Sequence, residues 1–319
     1  MLSLNIANPF DFSTIYNENY AYSVPKNMLE GFLRGEGFGY EGGYTLEEQK
    51  NLASDIQNIW KNIMEKNPSK DGRACLSAGS PGSGKTTKME QELEDGFGKV
   101  FAYIDPDSVC LKQMDQTYQR ELCLALEGIT DPEDIKIIRK NCYDKWRAAS
   151  NLATHVILAN LIKERYNFYF GTTSSSPHTG TFLDFLKQNE YNIRILYVSA
   201  TDSVRWESIQ ERDKSFVQTT EEDIIQKGLE VPKRIHDTFF KYVDLMEFFY
   251  RPSAHENATL AGTWDRSKNS FVVSDEEALA GVTAVQDQVA KTLNNSALFW
   301  EKQQNLKLKT GLFSSCFIF

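Results

Sequence analysis

No run in this 319-residue sequence approaches the roughly 18 consecutive apolar residues of a membrane-spanning helix, so a transmembrane protein is not expected. Positive charge is outweighed: 35 Lys and Arg face 44 Asp and Glu, for a net charge of −9. That balance removes the broad basic field of a nucleic-acid-binding protein, and no nucleic-acid partner is expected; a local basic pocket stays open. The five cysteines (Cys75, Cys110, Cys123, Cys142, Cys316) are odd in number, widely spaced and without a C-x-x-C pair. They argue against a disulfide framework or a zinc site and for reduced thiols in a cytoplasmic setting. The opening "MLSLNIANPFDF" lacks a basic segment followed by an apolar one, so no Sec-type signal peptide is expected.

What is present is a core-forming composition, 41% hydrophobic with 12% aromatics, arranged in three zones. Residues 1–70 form an N-terminal extension. It begins as an aromatic and glycine-rich segment in which Gly37, Gly39 and Gly42 match G-x-G-x-x-G without the strand and helix that would give the match meaning. An amphipathic helix follows: Thr45 and Glu48 make a capping box, and Leu52, Ile56, Ile59, Trp60 and Ile63 share a face. Residues 71–251 alternate strands (Ala74–Ala78, Val100–Ile104, Asn167–Phe170, Ile193–Ser199, Leu245–Tyr250) with helices (Thr86–Asp95, Asp144–Arg165, Asp202–Lys214, Pro232–Asp244). That alternation predicts an α/β fold with a parallel sheet and helices on both faces. Residues 252–319 form a C-terminal extension, with a hairpin in "ATLAGTWDRSKNSFVVS". Ser274 and Glu277 then cap a helix bearing Val282, Val285, Val289 and Leu293.

The clearest motif is Gly79-Ser80-Pro81-Gly82-Ser83-Gly84-Lys85-Thr86-Thr87, a full Walker A sequence between a strand and a helix. Its glycines let backbone N–H groups face phosphate oxygens, Lys85 would bridge the outer phosphates, and the Thr86 hydroxyl would ligate Mg²⁺. "VFAYIDPD" ends a strand in two carboxylates, at the sheet end where α/β ligands bind. Asp105 sits where a metal-shell carboxylate belongs, and Pro106 turns the chain so that Asp107 can take a proton from an attacking hydroxyl. There is no N-K-x-D element to read guanine.

"SAGSPGSGKTT" followed by "YIDPDSV" resembles the zeta toxin family of P-loop kinases, and so do "WRAASNLATHVILANLIKERYNFYFGTTSSS", "YNIRILYVSATDSVRWESIQERDKSF" and "VPKRIHDTFFKYVD". The resemblance covers about residues 73–251 and implies ATP-dependent phosphorylation of a hydroxyl on a UDP-activated amino sugar. It implies Lys85 and Thr86 in the nucleotide loop, Asp107 as general base and Arg212 as the phosphate-neutralising arginine, with Arg205 and Arg234 as weaker candidates. It further implies an acceptor pocket at Asp105, Ser150, Asn151, Thr154, His155, Thr172 and Thr173, and an inhibitory antitoxin or host protein as partner. Two family glutamates are replaced here, by His155 and Gly171, so the acceptor is expected to be a nucleotide sugar or another small alcohol. Rival readings are a catalytically weak ATP-binding interaction protein, and a nucleoside, nucleic-acid-end or antibiotic kinase. The ending "CFIF" fits C-a-a-X at Cys316. Prenylation there would matter in a eukaryotic cytosol, as for a delivered bacterial effector, and would be the route to a membrane.

Overall fold

A computed structural model describes residues 43–94, 101–213 and 221–292. The first glycine-rich segment, Val100, Leu293 and Cys316 therefore lie outside the described residues. The strands are β1 (Arg73–Ala78), β2 (Ala102–Ile104), β3 (Phe168–Phe170), β4 (Asn192–Ser199), β5 (Leu245–Tyr250), β6 (Thr259–Asp265) and β7 (Ser270–Val273). Their order is β2-β3-β1-β4-β5-β6-β7. β1, β4 and β5 run parallel, and β6 and β7 close the order antiparallel. The α/β class expected from strand–helix alternation is what forms. Among the described residues no helix is long and apolar enough to cross a membrane.

The described chain divides into two compact units. One takes in residues 43–72 and 101–168. It holds α1 (Leu46–Met64), α3 (Tyr118–Leu126) and α4 (Pro132–Lys163). The expected capping box is made: Thr45 N donates to Glu48 Oε2 at 2.7 Å and Glu48 N to Thr45 Oγ1 at 3.2 Å. Leu52, Ile56, Ile59 and Ile63 are buried, while Trp60 is half-buried and meets Tyr166 edge-on at 6.4 Å. Asp55, buried on the same helix, accepts from Gln116 N (2.9 Å) and Thr117 Oγ1 (2.7 Å), fixing the entry to α3. α4 starts at Pro132 and not at the expected Asp144. Asp131 caps its first turn through Glu133 N and Asp134 N, with Pro132 in the position where its missing N–H costs nothing. The early turns carry exposed residues such as Ile137, so they lack the apolar stripe that marks the rest.

The other unit takes in residues 73–94, 169–213 and 221–292. Its helices are α2 (Lys85–Glu94), α5 (Thr179–Gln188), α6 (Asp202–Asp213), α7 (Glu221–Arg234) and α8 (Glu276–Thr292). Where sequence periodicity expects one helix over Pro232–Asp244, α7 ends at Arg234 with Pro232 inside it, and a wide turn (Ile235–Phe239) and a single helical turn (Phe240–Tyr242) follow. The carbonyl that Pro232 leaves without a donor, four residues back, belongs to Gly228, where a Cβ would stand 2.7 Å from the Arg205 guanidinium. The expected hairpin forms as β6 and β7. The helix after it is capped by Asp275, whose carboxylate accepts from Ala278 N at 2.8 Å, and not by Ser274.

A charged network holds α2 to the sheet. Arg194 on β4 reaches Glu247 on β5 (Nε 2.6 Å), Glu92 on α2 (3.0 Å) and the Tyr169 hydroxyl (3.1 Å), and Lys88 closes on Glu92 at 3.0 Å. Two cations meet two carboxylates with side chains no more than 19% exposed, so each charge depends on its partners.

Candidate active site

β1 ends at Ala78, and the glycine-rich loop turns through left-handed backbone at Gly79 (φ 147°), Gly82 (φ 79°) and Gly84 (φ 93°). The space there is as restrictive as the dihedrals. A Cβ would stand 2.4 Å from Val198 O at Gly79, 2.3 Å from Arg205 O at Gly82, and 3.0 Å from the Arg251 side chain at Gly84. Only glycine serves at all three. Ser83 N donates to Ser80 O (3.2 Å), Lys85 Nζ to the same carbonyl (2.9 Å), and Ser80 Oγ to Lys227 O on α7 (3.2 Å). Ser83 Oγ is buried with no hydrogen-bond partner. α2 begins at Lys85, placing exposed Thr86 and Thr87 in its first turn. A tight glycine cradle ending at a helix N-terminus has the backbone geometry that suits a polyphosphate.

The strand-end loop after β3 is tied to the same place. Ser77 Oγ donates to Thr172 O (2.7 Å) and accepts from Thr172 N (2.9 Å), Ser174 Oγ donates to Ser77 O (2.8 Å), and Gly79 N donates to Thr173 O (3.2 Å). The structure thus brings half-buried Thr172 and Thr173 to the start of the phosphate loop. Arg212 is half-buried in the last turn of α6. Arg205 is buried, bonded to Asp202 and to Ile224 O (3.1 Å), which makes it a plug between α6 and α7.

In the other unit, Asp105 follows β2 directly and caps a wide turn over Pro106–Cys110. Its Oδ1 accepts from Asp107 N (2.7 Å) and Ser108 N (2.6 Å). Burial, and then the Asp107 charge, push its carboxyl up to about 6. Asp107 is half-buried, with Oδ1 3.1 Å from Arg147 Nε. Arg147 also donates to the Tyr143 hydroxyl (2.9 Å) and Asn151 Oδ1 (2.6 Å). Ser150 Oγ donates to Pro106 O (2.6 Å), and Thr154 Oγ1 lies 3.1 Å from Cys110 Sγ. Asp105, Asp107, Ser150, Asn151 and Thr154 are therefore gathered on one turn and one face of α4. His155 is half-buried beside them; burial, and then Arg147, hold its imidazole down to about 4, so it is neutral at physiological pH.

Arg147 and Tyr143 escaped the sequence reading. Their signal was the i, i+4, i+8 spacing of Tyr143, Arg147 and Asn151 on one helix.

Residues 137–246 match a family model described as zeta toxin. Over those residues the chain is similar to the zeta toxin family. The matched segment includes Arg147, Ser150, Asn151, Thr154, His155, Thr172, Thr173 and Arg212, and the glycine-rich loop and the Asp105–Asp107 turn precede it. Among solved structures, a chain from the PezAT chromosomal toxin-antitoxin system of Streptococcus pneumoniae is similar at 14% identity and a TM-score of 0.53, covering 84% of this chain and 99% of that one. An AvrRxo1-ORF1:-ORF2 complex aligns at 10% identity and a TM-score of 0.49, covering 76% and 74%, and the same complex with ATP at 10% and 0.49, covering 77% and 75%. The PezAT likeness shows a shared α/β fold. No curated protein matches the sequence.

Proposed function

We propose that this protein is an ATP-dependent phosphotransferase acting on a hydroxyl of a small molecule, with a nucleotide sugar as the leading acceptor class. The observation that carries the reading is the glycine cradle: three left-handed glycines, two of them pressed against backbone carbonyls, leading into a helix at Lys85. ATP with Mg²⁺ supplies the phosphoryl group when bound. Gly79–Thr87 would hold its phosphates, with Lys85 against their charge and Thr86 and Asp105 toward the metal ion. Asp107 would accept the acceptor proton, its carboxylate oriented by Arg147, and Arg212 would meet charge developing on the transferred group. Ser150, Asn151, Thr154, His155, Thr172 and Thr173 are the proposed acceptor contacts. The toxin-antitoxin source of the PezAT structure supports an inhibitory antitoxin as partner.

Lys85→Ala and Asp107→Ala separate the two halves of this reading. The first should weaken ATP binding in calorimetry and abolish turnover; the second should leave ATP binding intact and abolish turnover in a screen of nucleotide sugars. Full turnover by Asp107→Ala removes the base assignment.

A second reading is an ATP-binding interaction protein with little catalysis. It draws on the pairing of Asp107 with Arg147 and on the neutral His155. ATP binding without turnover of any acceptor, beside tight capture of a partner protein, would favour it.

A further inference from the structure

Arg251 follows β5 directly, and its backbone N–H bonds Ser199 O at 2.9 Å. Its guanidinium lies across the phosphate loop: NH1 donates to Ser208 Oγ on α6 (2.9 Å) and approaches Gly82 O (3.4 Å), Nε donates to Glu256 O (3.0 Å), and NH2 donates to Ala254 O. These acceptors are three backbone carbonyls and one hydroxyl, so none neutralises the charge. The nearby carboxylate of Glu207 is itself 3.2 Å from His255. Gly84 is the loop residue beneath it, where a Cβ would stand 3.0 Å from Arg251 Cδ and 3.3–3.4 Å from NH1 and Nε.

This arrangement fixes how the side chain can meet a ligand. A guanidinium has five N–H groups, all in its plane, and here the in-plane directions are largely spent on neutral oxygens. What such a group still offers is its flat face, which attracts π-systems by stacking and cation–π interaction. It also stands against the two loop glycines nearest Lys85, within a nucleotide's reach of any phosphate held there.

We infer that Arg251 is the platform on which the nucleotide base stacks, with the Ala254–Glu256 turn as the clamp that holds the guanidinium flat. The inference rests on the nucleotide-binding reading of the loop and adds the base subsite to it. Stacking on a face does not read base edges, so adenine and guanine should be held about equally well by this contact.

Calorimetric titration of the full chain with ATP, GTP and inorganic tripolyphosphate separates the base from the phosphates. Arg251→Ala should weaken ATP and GTP alike by about 5- to 100-fold, the usual range for loss of one stacked base, while tripolyphosphate changes by less than about 3-fold. Arg251→Lys, which keeps the charge and the stem but not the plane, should show the same selective loss and guards against a variant that fails to fold. An equal loss for tripolyphosphate and ATP would make Arg251 a support for the loop only and overturn the inference, as would unchanged ATP affinity. If the unaltered protein binds neither ATP nor tripolyphosphate, the reading of the loop itself falls and takes this subsite with it. That result differs from binding that Arg251 variants leave untouched.

Discussion

Arg147 Nε lies 3.1 Å from Asp107 Oδ1, and the same guanidinium is pinned at 2.9 Å to the Tyr143 hydroxyl and at 2.6 Å to Asn151 Oδ1. The carboxylate proposed as base is therefore aimed by a cation that cannot easily turn away. If Arg147 acts through Asp107, removing both should cost no more than removing Asp107 alone. Arg147→Met is expected to lower kcat by about 10- to 100-fold and Arg147→Lys to recover part of it, with the Asp107→Ala/Arg147→Met pair strongly non-additive. Additive losses in a kinetic double-mutant cycle would make Arg147 an independent contributor.

Asp105 and His155 should act on acid stability in opposite directions. A carboxyl raised from 3.8 to about 6 lends stability below its unfolded value, and that stability is lost as pH rises through 6. An imidazole lowered from 6.5 to about 4 lends stability above 6.5, and that stability is lost as pH falls through 4. Against the unaltered protein, Asp105→Asn should gain up to about 3 kcal/mol between pH 4 and 7, while His155→Gln should gain about 2–3 kcal/mol between pH 7 and 4. Urea unfolding across that range reads both; matching signs would contradict the burial assigned to one of them.

Gly82→Ala should be costly for two reasons at once, a φ of 79° and a contact of 2.3 Å to the Arg205 carbonyl. A loss of about 2 kcal/mol or more is expected in thermal unfolding, above the roughly 1 kcal/mol of conformational strain alone, with ATP affinity reduced as well. Unchanged melting and ATP binding would show that the loop is not so tightly enclosed.

The ion network around Arg194 is the most exposed to single substitution. Arg194→Met strands Glu247 and leaves Glu92 with Lys88 alone, and a loss of about 3–5 kcal/mol is expected from denaturant unfolding. Arg194→Lys should lose less. Equal stability of Arg194→Met and the unaltered protein would mean that water reaches these carboxylates.

Much of the fold was legible because local chemistry and tertiary packing agree. β5 runs over the expected Leu245–Tyr250, an apolar run bounded by Asp244 and Arg251-Pro252, and the capping box at Thr45 marks the start of α1. α3 and α5 went unread: α3 buries little beyond Tyr118, and α5 follows a serine-rich loop that hides its start. Pro232 misled because a proline usually opens a helix, whereas here it sits late in one, over a glycine. At the site, Lys85 and Asp107 carry motif signatures. Arg147 and Arg251 do not, since their roles come from what the folded chain places beside them: a carboxylate in one case, a glycine turn in the other.

The central claim is transfer of the outer phosphoryl group of ATP to an alcohol under the control of Asp107. It is tested most directly by incubating the full chain with ATP labelled at that phosphate, Mg²⁺ and a panel of nucleotide sugars and cell metabolites, then reading the label by ³¹P resonance and mass shift. The account predicts one class of phosphorylated alcohol, formed by the unaltered protein and absent with Lys85→Ala and Asp107→Ala. Label arriving on the same product at the same rate with Asp107→Ala, or on no acceptor at all while ATP binds, would contradict it.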